Sequence, residues 1–590
     1  MPYVRRRRRR SRRRLILGLK IAGALLVVVA AGAIWIALHA ASAAHRLSAV
    51  RADIASLRAD LIAGRSVTGD VAAIRTDSQS AYNDTHDPIW FLGSWLPPVG
   101  AVRGLTTVEA KLASQVLPPL VSAGQTLEPA RLRVNGNRIA LAPLHRAAPV
   151  LSNAAKAVQQ VRQTAAGVSG GWFGQINDAR QKIISQLDSV AGSITDAARF
   201  AQFGPAMLGE HGLRRYFVGI QNNAEARATG GLVAAWAIVT ADHGRIRVAQ
   251  HGNDSALRPA GAPTTTVSRD YQDLYGTFNP TQQWITSNLS PDFPAAANIW
   301  AHLWQAESGQ HIDGVFGVDP YALQDLVAQT GPVAVPGYPQ PLGGTNLASF
   351  VESKQYKVFQ GPLLSFRKTF LGQVATAVIR KLLSGAGDPA ALVSVMGHDA
   401  GTGHLRLWSA HPDEEAALAA TPIAGAIPRT LAPYVALSID NATGAKLDYY
   451  LQRSLDYHAT TCTGSTRQAT VTVRLRNGAP ARGLPPYVLL RGDRGVLQPE
   501  RVARSRLFVL LHLTHGASLD NATLDGRPVQ LTSGVEQGHP VVRTELTINP
   551  GQTRVLQLDL TEPVPFGAPR TTVQPLQLPQ RTALDVPSCG

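Results

Sequence analysis

The sequence predicts a multidomain α+β protein in which a membrane helix and a helical stalk precede two folded domains. Three observations lead to this prediction: a basic segment runs into a long apolar stretch, helical periodicity follows, and strand patterns dominate the second half of the chain. The 590 residues exceed the ~100–200 residues of a typical domain, so several domains are expected.

Residues 1–14 form a basic segment that is predicted to stay in the cytoplasm. It contains Arg5–Arg10 and Arg12–Arg14, and the adjoining residues 15–38 are apolar apart from Lys20. About 20 apolar residues suffice for a helix to cross the hydrocarbon core of a bilayer. Because basic flanks remain cytoplasmic, the sequence predicts a single-pass anchor in the cell membrane with the rest of the chain outside the cytoplasm.

Two alternatives exist for this region. Ala41-Ser42-Ala43 resembles a signal-peptide cleavage site, although a cleaved signal has an apolar region of only ~7–15 residues. The Arg run also resembles a nucleic-acid tail. Residues 1–20 hold ten of the net 17 positive charges, which leaves +7 on the rest. The adjoining apolar span therefore favours anionic membrane lipid as the partner and argues against nucleic acid.

Residues 40–205 are predicted to form an α-helical stalk that raises the next domain above the bilayer. Apolar residues recur at helical spacing in two runs, with plain helical packing as the alternative role. The runs are Leu47, Val50, Ile54, Leu57 and Leu61, then Ile183, Leu187, Val190 and Ile194.

Residues 206–425 are predicted to form an α/β core domain. Tyr216–Ile220 and Leu232–Thr240 have the apolar composition of buried strands, while Pro320–Thr330 and Phe366–Leu383 have that of helices. Alternation of strands with helices is typical of α/β domains.

Residues 430–590 are predicted to form a β-sandwich with a Pro-rich tail. Alternating apolar residues and turn signals such as Asn477-Gly478 and Asp525-Gly526 indicate antiparallel strands. Cys462 and Cys589 are the only cysteines, and in an oxidising compartment they are predicted to form one disulfide. Two free structural thiols are the alternative.

The densest polar cluster, Gln221–Gly231, lies between two predicted strands and is a candidate phosphate site. Arg227 offers a fork that matches phosphate, Asn222 and Asn223 offer amides, and glycines permit close backbone approach. The alternative is a buried polar network that orders the sheet, with Arg227 paired to Glu225.

Three further residues are candidates for the same chemistry. Asp292 either caps the helix that follows it or holds a divalent cation together with Glu225. Arg367 and Lys368 begin a long helix and are candidates for phosphate contact, with a solvated surface as the alternative. The sequence contains no Walker loop, zinc-protease motif or nucleophile elbow.

At these residues the chain resembles a bacterial group, domain of unknown function 4012, over roughly 205–560. The motifs that carry the resemblance are Arg215-Tyr216, Gln221-Asn222-Asn223-Ala224-Glu225-x-Arg227-x-Thr229-Gly230-Gly231, Pro291-Asp292-Phe293-Pro294, Asp313-Gly314-Val315, Asp319-Pro320, Thr330-Gly331-Pro332-Val333 and Asn441-x-x-Gly444-x-Lys446-x-Asp448. The family implies no function.

The order of elements in the core also resembles the LytR-CpsA-Psr family, membrane-anchored enzymes that transfer lipid-linked glycopolymers onto peptidoglycan. The matching passages are His311–Asp319 through Val333, the helix with Arg367-Lys368 and Arg380–Leu383, and Leu232–Val248 with Arg227 before it. Where that family has an Asp, this chain reads Ala228-Thr229-Gly230. The departure favours binding of a lipid pyrophosphate over metal-assisted transfer.

The second resemblance implies an extracytoplasmic cell-envelope protein that binds or transfers polyprenyl-phosphate-linked glycopolymers, with peptidoglycan as acceptor. It implies an apolar tunnel for the lipid, with Arg227 and Arg367 neutralising phosphate and Glu225 or Asp292 holding Mg²⁺. The alternatives are a non-catalytic envelope scaffold or binding protein, and an adhesin that uses the β-sandwich. The sequence leaves open whether the protein is an enzyme.

Overall fold

The computed structural model describes residues 31–36, 38–43, 45–46, 68–127, 133–134, 137–168, 174–493, 498–564 and 567–589. The Arg run, most of the predicted membrane helix and the Leu47–Leu61 periodicity lie outside these residues. Within the described ranges, no helix combines the length and the apolar character that crossing a membrane requires.

The first compact unit lies within Met1–Leu132 and Ala140–Pro205 and is helical in its described parts. Besides helical residues 31–36, 38–43 and 45–46, its helices are α1 (Thr68–Asp84), α2 (Pro88–Gly93), α3 (Pro97–Lys111), α4 (Leu117–Thr126), α5 (Ala142–Ala166) and α6 (Gly174–Met207), with a π-helical turn at Leu112–Val116. Leu151, Ala154, Val158, Val161 and Ala165 recur every three or four residues, so α5 buries one face in the apolar core of this unit. Helices therefore fill this part of the predicted stalk, and its role as a spacer stays a prediction.

The second compact unit comprises Arg133–Ile139 and Ala206–Gly590, so the predicted core and β-sandwich belong to one unit. Its largest sheet has the order β1-β2-β5-β4-β3-β6-β9. The strands are β1 (Arg133–Val134), β2 (Arg138–Ile139), β3 (Arg214–Arg227), β4 (Gly230–Asp242), β5 (Arg245–Asn253), β6 (Gly314–Val318) and β9 (Leu405–Ser409), with the hairpin β7 (Val333–Val335) and β8 (Tyr338–Leu342) outside it.

The predicted α/β pattern is only partly realised in this sheet. Of its described strands, β3 and β6 form the one parallel pair, and all other pairs are antiparallel. The reason is local: only Ala228 and Thr229 separate β3 from β4, and such a short loop allows only a hairpin. The unit is therefore α+β with a mixed sheet.

Helices cover this sheet around two apolar clusters. They are α7 (Arg269–Tyr275), α8 (Phe293–Ser308), α9 (Pro320–Thr330), α10 (Leu347–Ser349), α11 (Gln355–Val358), α12 (Leu364–Leu383), α13 (Pro389–Thr402) and α14 (Pro412–Leu418). On β3, Phe217 packs with α8, whereas Ile220 packs with α12, as residues of opposite parity along a strand do. Gly219 brings α8 close, because a Cβ there would lie 2.7 Å from the Trp300 ring.

Two further sheets enclose the apolar core of a β-sandwich. One has the order β10-β15-β19-β18 and the other β17-β16-β20-β12-β11-β21. Their strands are β10 (Ala436–Asn441), β11 (Leu451–Ala459), β12 (Thr466–Asn477), β15 (Ser505–His512), β16 (Ser518–Leu524), β17 (Arg527–Pro528), β18 (Thr532–Glu536), β19 (His539–Ile548), β20 (Thr553–Pro563) and β21 (Arg581–Asp585); β13 (Leu490–Arg491) pairs separately with β14 (Gln498–Pro499). Alternating residues such as Val471, Val473 and Leu475 point into this core. Cys462 and Cys589 are joined by a disulfide, with Cα atoms 5.5 Å apart.

Candidate functional site

The polar segment Gln221–Gly231 occupies the end of β3, a tight turn and the start of β4, and every residue of it is buried. Gly230 has a φ of 138°, a backbone conformation that side chains other than glycine rarely adopt. A Cβ on Gly231 would lie 2.2 Å from the carbonyl oxygen of Asn222. The two glycines thus close the turn, and close approach of a ligand is not needed to explain them.

Arg227 points into the protein and is 6% exposed. Its Nε donates to the carbonyl oxygen of Ile285 at 2.8 Å, and one terminal nitrogen donates to the carbonyl oxygens of Ala226 and Asn441 at 2.9 Å each. The guanidinium therefore joins β3 to the loop before α8 and to the end of β10. Its hydrogen bonds connect parts of the fold.

Buried carboxylates bind the backbone N–H groups of the same segment. Glu352 accepts from Ala224 at 2.5 Å, Asp448 from Ala226 at 2.8 Å, and Asp440 from Ala228 at 2.9 Å. Burial raises the pKa of Glu352 to about 8, of Asp440 to about 8 and of Asp448 to about 6. At the irregular end of β3, these acids accept the backbone hydrogen bonds that a neighbouring strand would otherwise accept.

The two asparagines are also engaged by the protein. Asn222 donates to the hydroxyl of Tyr356 at 3.3 Å. Asn223 donates to a carboxylate oxygen of Asp319 at 2.9 Å and to the carbonyl oxygen of Pro575 at 2.8 Å. Asn223 thereby ties the Pro-rich tail to the sheet.

Glu225 pairs with Lys446, whose Nζ lies 2.6 Å from the carboxylate, and not with Arg227. Burial lowers the pKa of Lys446, but the Glu225 carboxylate and the Tyr487 phenol together raise it by more, so the pKa lies above its ordinary value. In this pair, Lys446 engages the Glu225 carboxylate that the sequence offers for a metal ion.

Arg367 lies near the same pair and is 8% exposed. Its guanidinium carbon lies 3.4 Å from the ring centre of Tyr487 and 5.5 Å from that of Tyr356, so the charge is stacked on aromatic faces. Its Nε is buried and has no hydrogen-bond partner among the described residues. Lys368 follows in the same helix, α12.

Asp292 is the residue before α8, but its side chain makes no capping hydrogen bond. It accepts instead from the backbone N–H of Ile427 at 3.0 Å and from the amide of Gln537 at 3.3 Å. Burial raises the pKa of Asp292 to about 6. Glu225 and Asp292 thus have separate partners, and nowhere in the described ranges do three His, Cys, Asp or Glu side chains cluster as metal ligands.

The tail beyond β20 crosses the buried segment, and Gln574 and Arg453 fix it there in addition to Asn223. The amide of Gln574 donates to the carbonyl oxygens of Arg227 at 2.6 Å and Ile439 at 2.8 Å. Arg453, only 3% exposed, donates to the carbonyl oxygens of Gln574 at 3.2 Å and Leu578 at 3.1 Å. The buried segment Gln221–Gly231 is therefore part of the surface against which the tail packs.

Between this tail and residues 401–429 lies a groove of about 1160 Å³. Its charged lining is mainly basic, and we call it the arginine groove after Arg406, Arg429, Arg453 and Arg570; His404 lines it as well. Two carboxylates, Asp292 and Glu415, also line it. Arg429 and Arg570 are exposed, so their charges face solvent.

Several polar atoms in the lining of the arginine groove are buried without a partner in the described parts of the chain. They include the Tyr321 hydroxyl, the Thr571 hydroxyl, the side-chain amide oxygen of Gln577 and the Nε of Arg453. Nearby, His404 Nδ1 lies 2.6 Å from a carboxylate oxygen of Asp319. Buried polar groups are normally hydrogen-bonded, so this lining is suited to a polar ligand.

The candidate residues named from the sequence do not line this groove, except for Asp292. The groove arginines were missed because they are isolated in the sequence and are brought together only when the tail folds back. Lys446 carried a signal in the sequence, since it lies in the Asn441–Asp448 passage, one of those on which the resemblance described above rests.

Residues 211–356 match the family model described as "Protein of unknown function (DUF4012)". This range covers β3 to β8 and some partners of the buried segment, such as Ile285, Asp319 and Glu352. Other partners, such as Asp440, Lys446 and Asp448, and most of the arginine groove lie outside it. No curated protein matches the chain.

Proposed function

We propose that the chain is a membrane-anchored, extracytoplasmic protein of the cell envelope that binds a phosphate-bearing, polyprenyl-linked glycopolymer without transferring it. The observation that carries the proposal is the arginine groove, a large cavity lined by the exposed Arg429 and Arg570, whose guanidinium groups suit phosphate. One edge of the Arg429 guanidinium already donates to the side-chain oxygen of Gln537, which leaves its remaining N–H groups for a ligand. The groove volume of about 1160 Å³ exceeds the ~300–1,000 Å³ of a typical small-molecule pocket and suits an extended chain.

Binding is favoured over transfer by the state of the residues that the sequence offered for chemistry. Arg227 bonds to three carbonyl oxygens, and Glu225 is paired with Lys446. Freeing Glu225 would leave the charge of Lys446 uncompensated, which costs ~3–5 kcal/mol for a buried pair. Freeing Arg227 would leave buried carbonyl oxygens without a donor, at ~1–3 kcal/mol each. These residues serve the fold, so the LytR-CpsA-Psr-like transfer reaction has no support from them.

Two features support the cellular setting of the proposal. The Cys462–Cys589 disulfide suits an oxidising compartment outside the cytoplasm. The basic segment 1–14 and the apolar residues 15–38 give the pattern of an anchor with the chain outside. Membrane lipid and the glycopolymer are then the expected partners.

The proposal is tested with full-length chain purified in a detergent that has a zwitterionic head group. The probe is a short poly(glycerol phosphate) chain, measured by calorimetric titration. The variant R429A/R570A should weaken binding about thirtyfold, since each of the two lost charge-assisted contacts contributes of the order of 1 kcal/mol. Binding should also weaken as salt is raised.

The matched control is R245A/R247A, which removes two exposed arginines from β5 at a distance from the groove lining. It changes net charge by the same amount and should bind the probe as the wild type does. Equal loss in both double variants would mean nonspecific attraction, and undiminished binding by R429A/R570A would refute the groove as the site.

A further inference from the structure

A second cavity, of about 340 Å³, adjoins the arginine groove. Asp292, Arg429 and Gln537 line both cavities. Gln537 connects the other two side chains through its side-chain amide. The amide nitrogen donates to Asp292 at 3.3 Å, and the amide oxygen accepts from Arg429 at 3.0 Å. The two cavities therefore adjoin at these three side chains.

The charge of this second cavity is opposite to that of the groove, and we call it the acidic pocket. Asp270, Asp292 and Glu536 line it, against the single cation Arg429. The Glu536 carboxylate is held in place by the Ser290 hydroxyl at 2.7 Å, among other donors. Three carboxylates disfavour a phosphate group here, so the part of a ligand that enters must be free of negative charge.

Two polar groups of the acidic pocket lack partners among the described residues. The hydroxyl of Tyr271 is unpaired although this side chain is only 4% exposed, and the side-chain oxygen of Asn298 is buried and unpaired. Ala295 and Ile299 add apolar surface to the same lining. A pyranose ring complements this lining, because it has hydroxyl groups around its edge and C–H groups on its faces.

We infer that the acidic pocket is a subsite for one uncharged sugar unit of the glycopolymer. Sugar hydroxyls bond to Tyr271 and to the Asn298 oxygen, and the phosphate-bearing remainder of the same chain lies in the arginine groove. The inference rests on the proposed function and adds the orientation of the bound ligand. The lining changes from basic to acidic at Gln537, and this change sets which part of the ligand enters which cavity.

The test uses the full-length chain in the same zwitterionic detergent, because sugar-headed detergents would compete. The probe is methyl α-glucopyranoside, followed by saturation-transfer-difference NMR. Y271F removes only the unpaired hydroxyl and should weaken probe binding about three- to tenfold, as expected for one lost hydrogen bond. A295L fills the pocket and should abolish the signal.

Y338F is the matched control, since Tyr338 lies in the separate aromatic cluster around Phe350. It should bind the probe as the wild type does. Unchanged probe binding by both Y271F and A295L overturns the subsite, and so does tighter binding of glucosamine than of the neutral glycoside.

The two proposals fail separately in these experiments. If poly(glycerol phosphate) binds through the arginines while the wild type gives no saturable signal with the glycoside, the subsite is wrong and the proposed function stands. If the glycoside binds through Tyr271 while the phosphate polymer does not bind, the proposed function is wrong and the pocket remains a sugar site.

Discussion

Replacing Arg227 distinguishes a structural arginine from a ligand-binding one. Arg227→Ala leaves the carbonyl oxygens of Ile285, Ala226 and Asn441 without their donor inside the protein. Each buried acceptor left without a partner costs ~1–3 kcal/mol, so for three carbonyl oxygens that relax in part we expect a total loss of ~3–5 kcal/mol. Arg227→Lys keeps the charge but cannot reach all three oxygens, so we expect a loss of ~2–3 kcal/mol.

The assay is thermal unfolding of the full-length chain, followed by tryptophan fluorescence. Unfolding entropy is ~2 cal/mol/K per residue, so in a unit this large each kcal/mol lowers the midpoint by ~1 °C. We expect a fall of ~3–5 °C for Arg227→Ala and ~2–3 °C for Arg227→Lys, with no change for the exposed-strand control Arg245→Ala. An Arg227→Ala midpoint equal to that of the wild type, together with lost binding of the phosphate polymer, would refute a structural role.

Two further predictions concern the buried acids and the disulfide. The pKa of Asp440 is raised by burial to about 8, so the folded state keeps a proton that the unfolded state releases near pH 4. Stability is therefore lost as pH rises from about 4 to 8, by up to ~1.4 kcal/mol per pH unit from this group. Asp440→Asn should flatten the pH profile of urea unfolding, and parallel profiles for wild type and variant would contradict this cause. The Cys462–Cys589 bridge closes a separation of 127 residues, which the chain-entropy model values at ~5 kcal/mol. The Cys462→Ser/Cys589→Ser variant should have a lower thermal midpoint than the wild type, and reductant should not change that midpoint. A wild-type midpoint that stays the same after full reduction would contradict a stabilising role of the disulfide.

The broad α+β architecture follows from patterns that are local in sequence. The run Tyr216–Ile220, the alternation at Val471–Leu475 and the helix Pro320–Thr330 each have one dominant periodicity, and each forms the predicted element. The strand order does not follow from such patterns. Whether β3 pairs in parallel with β6 or with a later strand depends on contacts between residues far apart in the chain.

The candidate site was harder to predict for the same reason. The segment around Arg227 has the composition of a ligand site. The same residue types, amides, an arginine and glycines, suit a buried hydrogen-bond network as well as they suit a phosphate site. Composition does not reveal that the partners are Glu352, Asp440 and Asp448, which lie in later elements. The arginine groove forms where Arg453 donates to the backbone carbonyl oxygen of Gln574 in the tail, and no local pattern predicts that contact.

The most direct test of the proposed function is mass spectrometry of lipids that co-purify with the detergent-extracted full-length chain. Wild-type protein should carry a polyprenyl-phosphate-linked glycan, and R429A/R570A should carry much less of it. R245A/R247A should retain the wild-type amount. Absence of any such lipid from the wild type, or equal amounts on the wild type and R429A/R570A, would contradict binding of this ligand in the arginine groove.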